Sequence, residues 1–178
     1  MPPRDVTADV LAAALASAGY EPPHARVAML RPPFRLHEGD LALPELAMRT
    51  GTLVVIGTLT VAGSLELQRD SRPLANVIVV GSCELGIAYV DGFLVVRDEL
   101  RANVLIADAS WDGGVFVGGD LHADTLAIHN TAMTIHGTRH ARVLADTERA
   151  IAAQEALPAL FQNDDAEPYG YFLGLVKR

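Results

Sequence analysis

The sequence predicts a mainly β chain wound as a three-sided β-solenoid of about five to six coils, with a short helix flanking it at each end. Three observations predict this. First, residues 52–69 read TLVVIG, TLTVAG, SLELQR, one six-residue phrase three times over. Its second and fourth positions are apolar: Leu53 and Val55, Leu59 and Val61, Leu65 and Leu67. Such alternation puts those positions on one face of an extended strand. Second, Gly57 and Gly63 close two of the phrases, and glycine turns a corner at little conformational cost. Third, two columns of these phrases recur along the chain with shared steps of 18, 17, 21 and 18 residues. Three six-residue sides make a coil of about 18 residues.

Taken in order, residues 5–19 predict a helix, capped by Asp5 or Thr7 and closed by Gly19. Val6, Val10, Leu11, Ala14 and Leu15 form its apolar stripe. Pro22, Pro23, Pro32 and Pro33 predict an extended connector over 20–33. The repeat runs from Phe34 to Val143. One column holds the phrases starting at Thr58, Asn76, Phe93, Gly114 and Ala132, with Asp40 opening a degenerate first copy. The next holds those starting at Ser64, Ser82, Glu99, Asp120 and Thr138. The third, from Thr52, Asp70, Ala88 and Val104, varies in length, as expected where insertions leave one corner of a stack. Residues 146–162 predict a second helix, capped by Asp146 or Thr147, with apolar Ile151, Ala152, Leu157 and Leu160 and a kink at Pro158. The stretch NDDAEP, 163–168, reads as a linker, and the final YGYFLGLVKR as a docking segment. The chain thus divides into 1–33, a helix and connector; 34–143, the solenoid; and 144–178, a helix and tail. A helical repeat is excluded by period two and the many β-branched residues. A two-sheet sandwich does not predict one step in two columns.

Half of the residues are hydrophobic but only 6% are aromatic, which suits a narrow aliphatic core. The formal charge of −8, from 22 acidic and 14 basic residues, argues against nucleic acid, whose phosphates are bound by Lys and Arg. It favours a basic partner instead. The lone cysteine, Cys83, permits no intrachain disulfide and reads as an inert core thiol. There is no apolar run of about 18 residues and no apolar signal-peptide core at the amino terminus, so a cytoplasmic chain without a membrane span is expected.

With positions two and four inward, the odd positions face out. In the Thr58 column, position three reads Thr60, Ile78, Val95, Phe116, Thr134, with Val80 and Phe93 beside it. That sheet is apolar on both faces and needs a cover. A terminal helix of this chain is the favoured cover. The other reading is a partner-binding face, with Ile78, Phe93, Val95 and Phe116 as contacts and the two aromatics as anchors. The next column reads Glu66, Glu84, Arg101, His122, His140, a solvated face. His122 and His140 lie 18 residues apart, so they stack on adjacent coils about 4.8 Å apart. With Asp120 and Asp124 they are candidates for a transition metal, but a polar surface is the simpler reading, and no metal or cofactor is expected. His129 and His136 lie nearer corners. DASWDG, 108–113, opens like a calcium loop, with Asp108, Ser110, Asp112 and Gly113, but its twelfth position is Gly119 where a bidentate Glu is needed. A turn is the better reading. Trp111, at its tip, is a further candidate for protein contact.

The corners Gly57-Thr58-Leu59, Gly63-Ser64-Leu65 and Gly119-Asp120-Leu121 make residues 34–143 resemble the bactofilins, bacterial polymer-forming cytoskeletal proteins. The resemblance implies a right-handed β-helix that assembles end to end without nucleotide. It carries no catalytic or binding motif onto this chain. Bactofilins flank the repeat with disordered tails, whereas helices are expected on both sides here, and end caps block stacking. Left-handed hexapeptide-repeat acyltransferases also have 18-residue coils, but their phrase carries one aliphatic residue where this one carries two. No GxSxG, P-loop, HExxH or CxxC occurs. The expected function is therefore a non-catalytic scaffold or protein-binding module, whose partner is another protein or a second copy. The alternatives are a discrete acidic inhibitor of the immunity or antitoxin kind, and an acyltransferase-like enzyme.

Overall fold

The computed structural model describes residues 2–20, 30–68, 74–108, 113–129 and 131–145, with residues 143–145 described by backbone alone. The chain forms a β-solenoid of about five turns with one short helix near its amino terminus. A strand β1 (Arg4–Val6) precedes helix α1 (Ala8–Ser17). Thr7 caps α1, its hydroxyl accepting from the Val10 N–H at 3.4 Å, while Asp5 lies in β1. At the other end the Tyr20 N–H donates to the Leu15 carbonyl and the Gly19 N–H to that of Ala16, with Gly19 at φ +66°. This is the paired C-terminal closure that glycine permits. Leu11 and Leu15 are buried, but Val10, placed in the apolar stripe by sequence, is 42% exposed.

The coils comprise β2 (Phe34–Glu38), β3 (Leu41–Leu43), β4 (Leu46–Met48), β5 (Gly51–Ile56), β6 (Leu59–Leu67), β7 (Ala75–Val79), β8 (Cys83–Val90), β9 (Phe93–Val96), β10 (Leu100–Ala107), β11 (Gly114–Val117), β12 (Leu121–Ile128), β13 (Ala132–Ile135) and β14 (Arg139–Ala145). They stack into two parallel ladders. The first sheet runs β2-β5-β7-β9-β11-β13, with β1 added antiparallel at its start. The second runs β3-β6-β8-β10-β12-β14, with β4 also on β6. Its long strands each turn a corner. In β8 both Leu85 and Ala88 pack in the core, a break in alternation that a straight strand cannot make. The bend falls at Gly86, where an added Cβ would lie 2.4 Å from the Ala62 carbonyl oxygen. The second sheet therefore supplies two sides of the solenoid and the first sheet the third.

Vertical neighbours are close to the predicted spacing but differ at one coil. Thr52 pairs with Asn76, and Leu59 with Cys83, so the chain advances 24 residues there, not 18. Elsewhere the steps are 18 (Phe34 to Thr52), 17 (Asn76 to Phe93), 21 (Phe93 to Gly114) and 18 (Gly114 to Ala132). The phrase at Thr58 thus stacks on Ser82, not Asn76, and Val61 lies beside Leu85, not Val79. The extra six residues equal one phrase, so the periodicity is preserved while the side changes.

The core is a set of aliphatic columns, such as Leu53, Val77, Leu94, Val115 and Leu59, Cys83, Leu100, Leu121, nearly all without exposure. Each buried side chain of this size contributes about 1.5–3 kcal/mol. Burial pushes the Cys83 thiol strongly upward, with a smaller push from Glu84. The two ends differ. On the first coil the inward register positions of β2 are Arg35 and His37, and the His37 Nε2–H donates to the Asp40 carbonyl oxygen at 3.0 Å. On the last coil the same columns hold Met133 and Ile135, half-buried. The predicted second helix, its caps and the tail, 146–178, fall outside the described residues, as does Trp111.

Candidate functional site

The outward face of the first sheet is apolar, as the sequence predicts. Its central column reads Leu36, Val54, Ile78, Val95, Phe116, Thr134, with Val54 standing where Thr60 was expected. Leu11 and Leu15 of α1 share one buried cluster with Leu36, Val54, Ile78, Val80 and Val95, and Phe116 packs at its margin. The chain's own helix is therefore a cover for this face. Ile78 is 3% exposed, and Phe93 and Val95 are 8% exposed. Phe93 and Phe116 stack with centroids 6.1 Å apart. Of the candidate contact residues, Phe116 alone keeps a half-exposed side chain among those described.

The polar column lies on the second sheet. It reads Thr60, Glu84, Arg101, His122, His140, with Thr60 where Glu66 was expected, because Glu66 pairs with Tyr89 beyond the corner. These side chains line a shallow groove of about 530 Å³, flanked by Asn103 and Asp124. The His122 and His140 rings stack, with centroids 4.6 Å apart and planes 17° from parallel. Their shared register position, one coil apart on β12 and β14, causes this. His122 Nε2 lies 3.0 Å from Glu99 Oε1, and Arg101 reaches the same oxygen at 2.6 Å. Asp120, just before β12, turns its Oδ1 to the Thr138 N–H at 2.7 Å. Asp40 makes the same bond to the Thr58 N–H at 2.8 Å, four coils earlier in the same corner. A carboxylate there substitutes for a backbone acceptor between coils. One ligand atom each from Asp120, His122 and His140 lies within 4.8 Å of the others. Asp124 lines the groove but stands outside that cluster.

A second polar group was not legible as a group. Asp108 accepts from the Tyr89 hydroxyl at 3.1 Å and pairs with His129 Nδ1 at 2.8 Å. The three sit on successive coils, and only the register of β8, β10 and β12 brings them together. Both carboxylate oxygens of Asp108 are thereby engaged between coils. Ser110 and Asp112 of that loop lie outside the described residues. No helix among the described residues is long and apolar enough to cross a membrane. No protein-family model, curated protein or solved structure matches the chain.

Proposed function

We propose that this protein is a non-catalytic scaffold that associates with a second copy of itself through the carboxyl-terminal end of its solenoid. The observation that carries this reading is the difference between the two ends. The first coil has polar Arg35 and His37 in the core columns, and β1 runs antiparallel along the first edge of its sheet. Repeat proteins finish a closed end with polar residues in this way. The last coil carries Met133 and Ile135 in those columns, half-buried, and β13 and β14 are the terminal strands of their sheets among the described residues. Unpaired strand edges recruit further strands. One closed end and one associating end give a discrete pair rather than the end-to-end polymer that resemblance to bactofilins implies.

The test is the mass of the full chain in solution at tens of micromolar, by light scattering, with electron microscopy of the same sample. The expected result is a dimer that Ile135→Asp converts to a monomer, while Val10→Asp on the exposed side of α1 leaves it intact. Retention of the thermal transition in Ile135→Asp separates lost association from lost folding. A monomeric parent chain would overturn self-association and favour the discrete protein-binding inhibitor. Filaments would overturn the closed first end.

A further inference from the structure

We infer that Asp120, His122 and His140 form a binding site for a late first-row divalent cation of the zinc class, clipping the last coil to the one before it. The donors are the right kind. Two imidazoles and a carboxylate suit zinc and its neighbours, whereas calcium and magnesium prefer all-oxygen sites. Their arrangement is fixed by the fold. His122 and His140 share one register position on β12 and β14, so the ring stack is a consequence of the ladder rather than of two free side chains. The three ligand atoms lie within 4.8 Å of one another, and small rotations of surface side chains close that spacing to a coordination sphere.

The surroundings fit as well. Asp120 uses Oδ1 to hold the Thr138 N–H, which fixes the carboxylate and leaves Oδ2 for a cation. Glu99 sits 3.0 Å from His122 Nε2. A carboxylate behind a ligating imidazole fixes the ring and raises its basicity, the usual outer partner of a metal-bound histidine. With Nε2 held by Glu99, Nδ1 of His122 is the nitrogen left to ligate the ion. Arg101 neutralises part of the Glu99 charge at 2.6 Å, which keeps that carboxylate as a partner of the ring. The groove beside the rings leaves space for the water that completes a three-ligand site. This inference is independent of the association proposed above.

The experiment titrates the metal-free full chain with Zn²⁺ by calorimetry, with Co²⁺ absorption as a second readout. One equivalent should bind with micromolar or tighter affinity, and Zn²⁺ should raise the thermal midpoint. His122→Gln and His140→Gln should each weaken binding at least tenfold, as should Asp120→Asn, which can still accept from Thr138. Glu99→Gln acts behind the ligand and should weaken binding by about 10–100-fold. His129→Gln, on the other corner, should change nothing. Imidazole resonances of His122 and His140 in the unmodified chain should shift with the first equivalent of Zn²⁺, a readout that needs no variant to fold. Binding no tighter than millimolar, binding undiminished in the two His→Gln variants, or unshifted imidazole resonances would overturn the site.

Discussion

Gly81 and Cys83 stand two residues apart and illustrate how little freedom single positions have in this fold. A Cβ on Gly81 would lie 2.3 Å from the Gly57 carbonyl oxygen, and one on Gly57 2.5 Å from that of Gly39. Backbone meets backbone at this corner, so the glycines that mark phrase ends in the sequence are there for lack of space as well as for turning. Asp98 interrupts the column, accepting a backbone hydrogen bond from Gly119 and holding Arg97 at 2.9 Å. That guanidinium draws the Asp98 carboxyl below its usual range. Cys83 is fully buried between Leu59 and Leu100. Its thiol stays protonated in the folded chain, whereas the unfolded chain ionises near the ordinary thiol value of about 8.5. Below that value both states hold the proton and the contribution to stability is fully present. Above it the unfolded state loses its proton first, so stability falls as pH rises, by up to about 1.4 kcal/mol per pH unit. Denaturant unfolding from pH 8 to 10 should show this loss in the parent chain and a flatter profile in Cys83→Ala. The burial of this residue was legible from its place at position two of a phrase. The Tyr89–Asp108–His129 group was not, because its members belong to different phrases and meet only through the register.

Among the elements, α1 against the first sheet is the contact that decides what the apolar outer face is for. The sequence exposes the need for a cover through Ile78, Val95 and Phe116, and supplies one in the stripe at Leu11 and Leu15. Leu15 is 3% exposed and sits in the same cluster as Ile78 and Val95. Leu15→Ala should therefore cost about 2–5 kcal/mol and lower the thermal midpoint by roughly 5–15 °C. Val10→Ala on the exposed side of the same helix should change stability by no more than about 0.5 kcal/mol. A differential scan of the three proteins checks both, and equal midpoints would mean that α1 does not hold the face. The strands were legible nearly to the residue where a phrase ended on a corner. The assignment of residues 52–69 to sides was not, and the reason is arithmetic. An insertion of six residues between β6 and β7 moves the chain on by one side of the triangle while leaving every inward position inward. Period two cannot detect a shift of an even number of residues, so Val54, Thr60 and Glu66 each stand one side away from the side expected, without any change in pattern.

At the scale of the whole molecule, the solenoid is a ladder whose rungs fix which surface residues become neighbours. The acidic chain carries its two stacked histidines on the last two coils, while Arg35 and His37 finish the first. The polar column and the apolar column were both legible from the shared steps, and three of the four candidate metal ligands converge. What the sequence could not convey was the difference between the ends, because it depends on which residues fall inward on the first and last coils once the register is fixed. Every surface assigned above, including the proposed metal site and the proposed associating end, depends on that register. Disulfide formation between neighbouring coils tests it most directly. In a Cys83→Ala background, Thr60→Cys with Glu84→Cys places two thiols on directly paired outward positions, about 4.8 Å apart along the stack and within the span a disulfide bridges. Mild oxidation should cross-link this pair in the folded chain and leave Thr60→Cys with Ile78→Cys open. Cross-linking of the second pair in place of the first would mean that the chain keeps an 18-residue step through this coil, and the register described here would be contradicted.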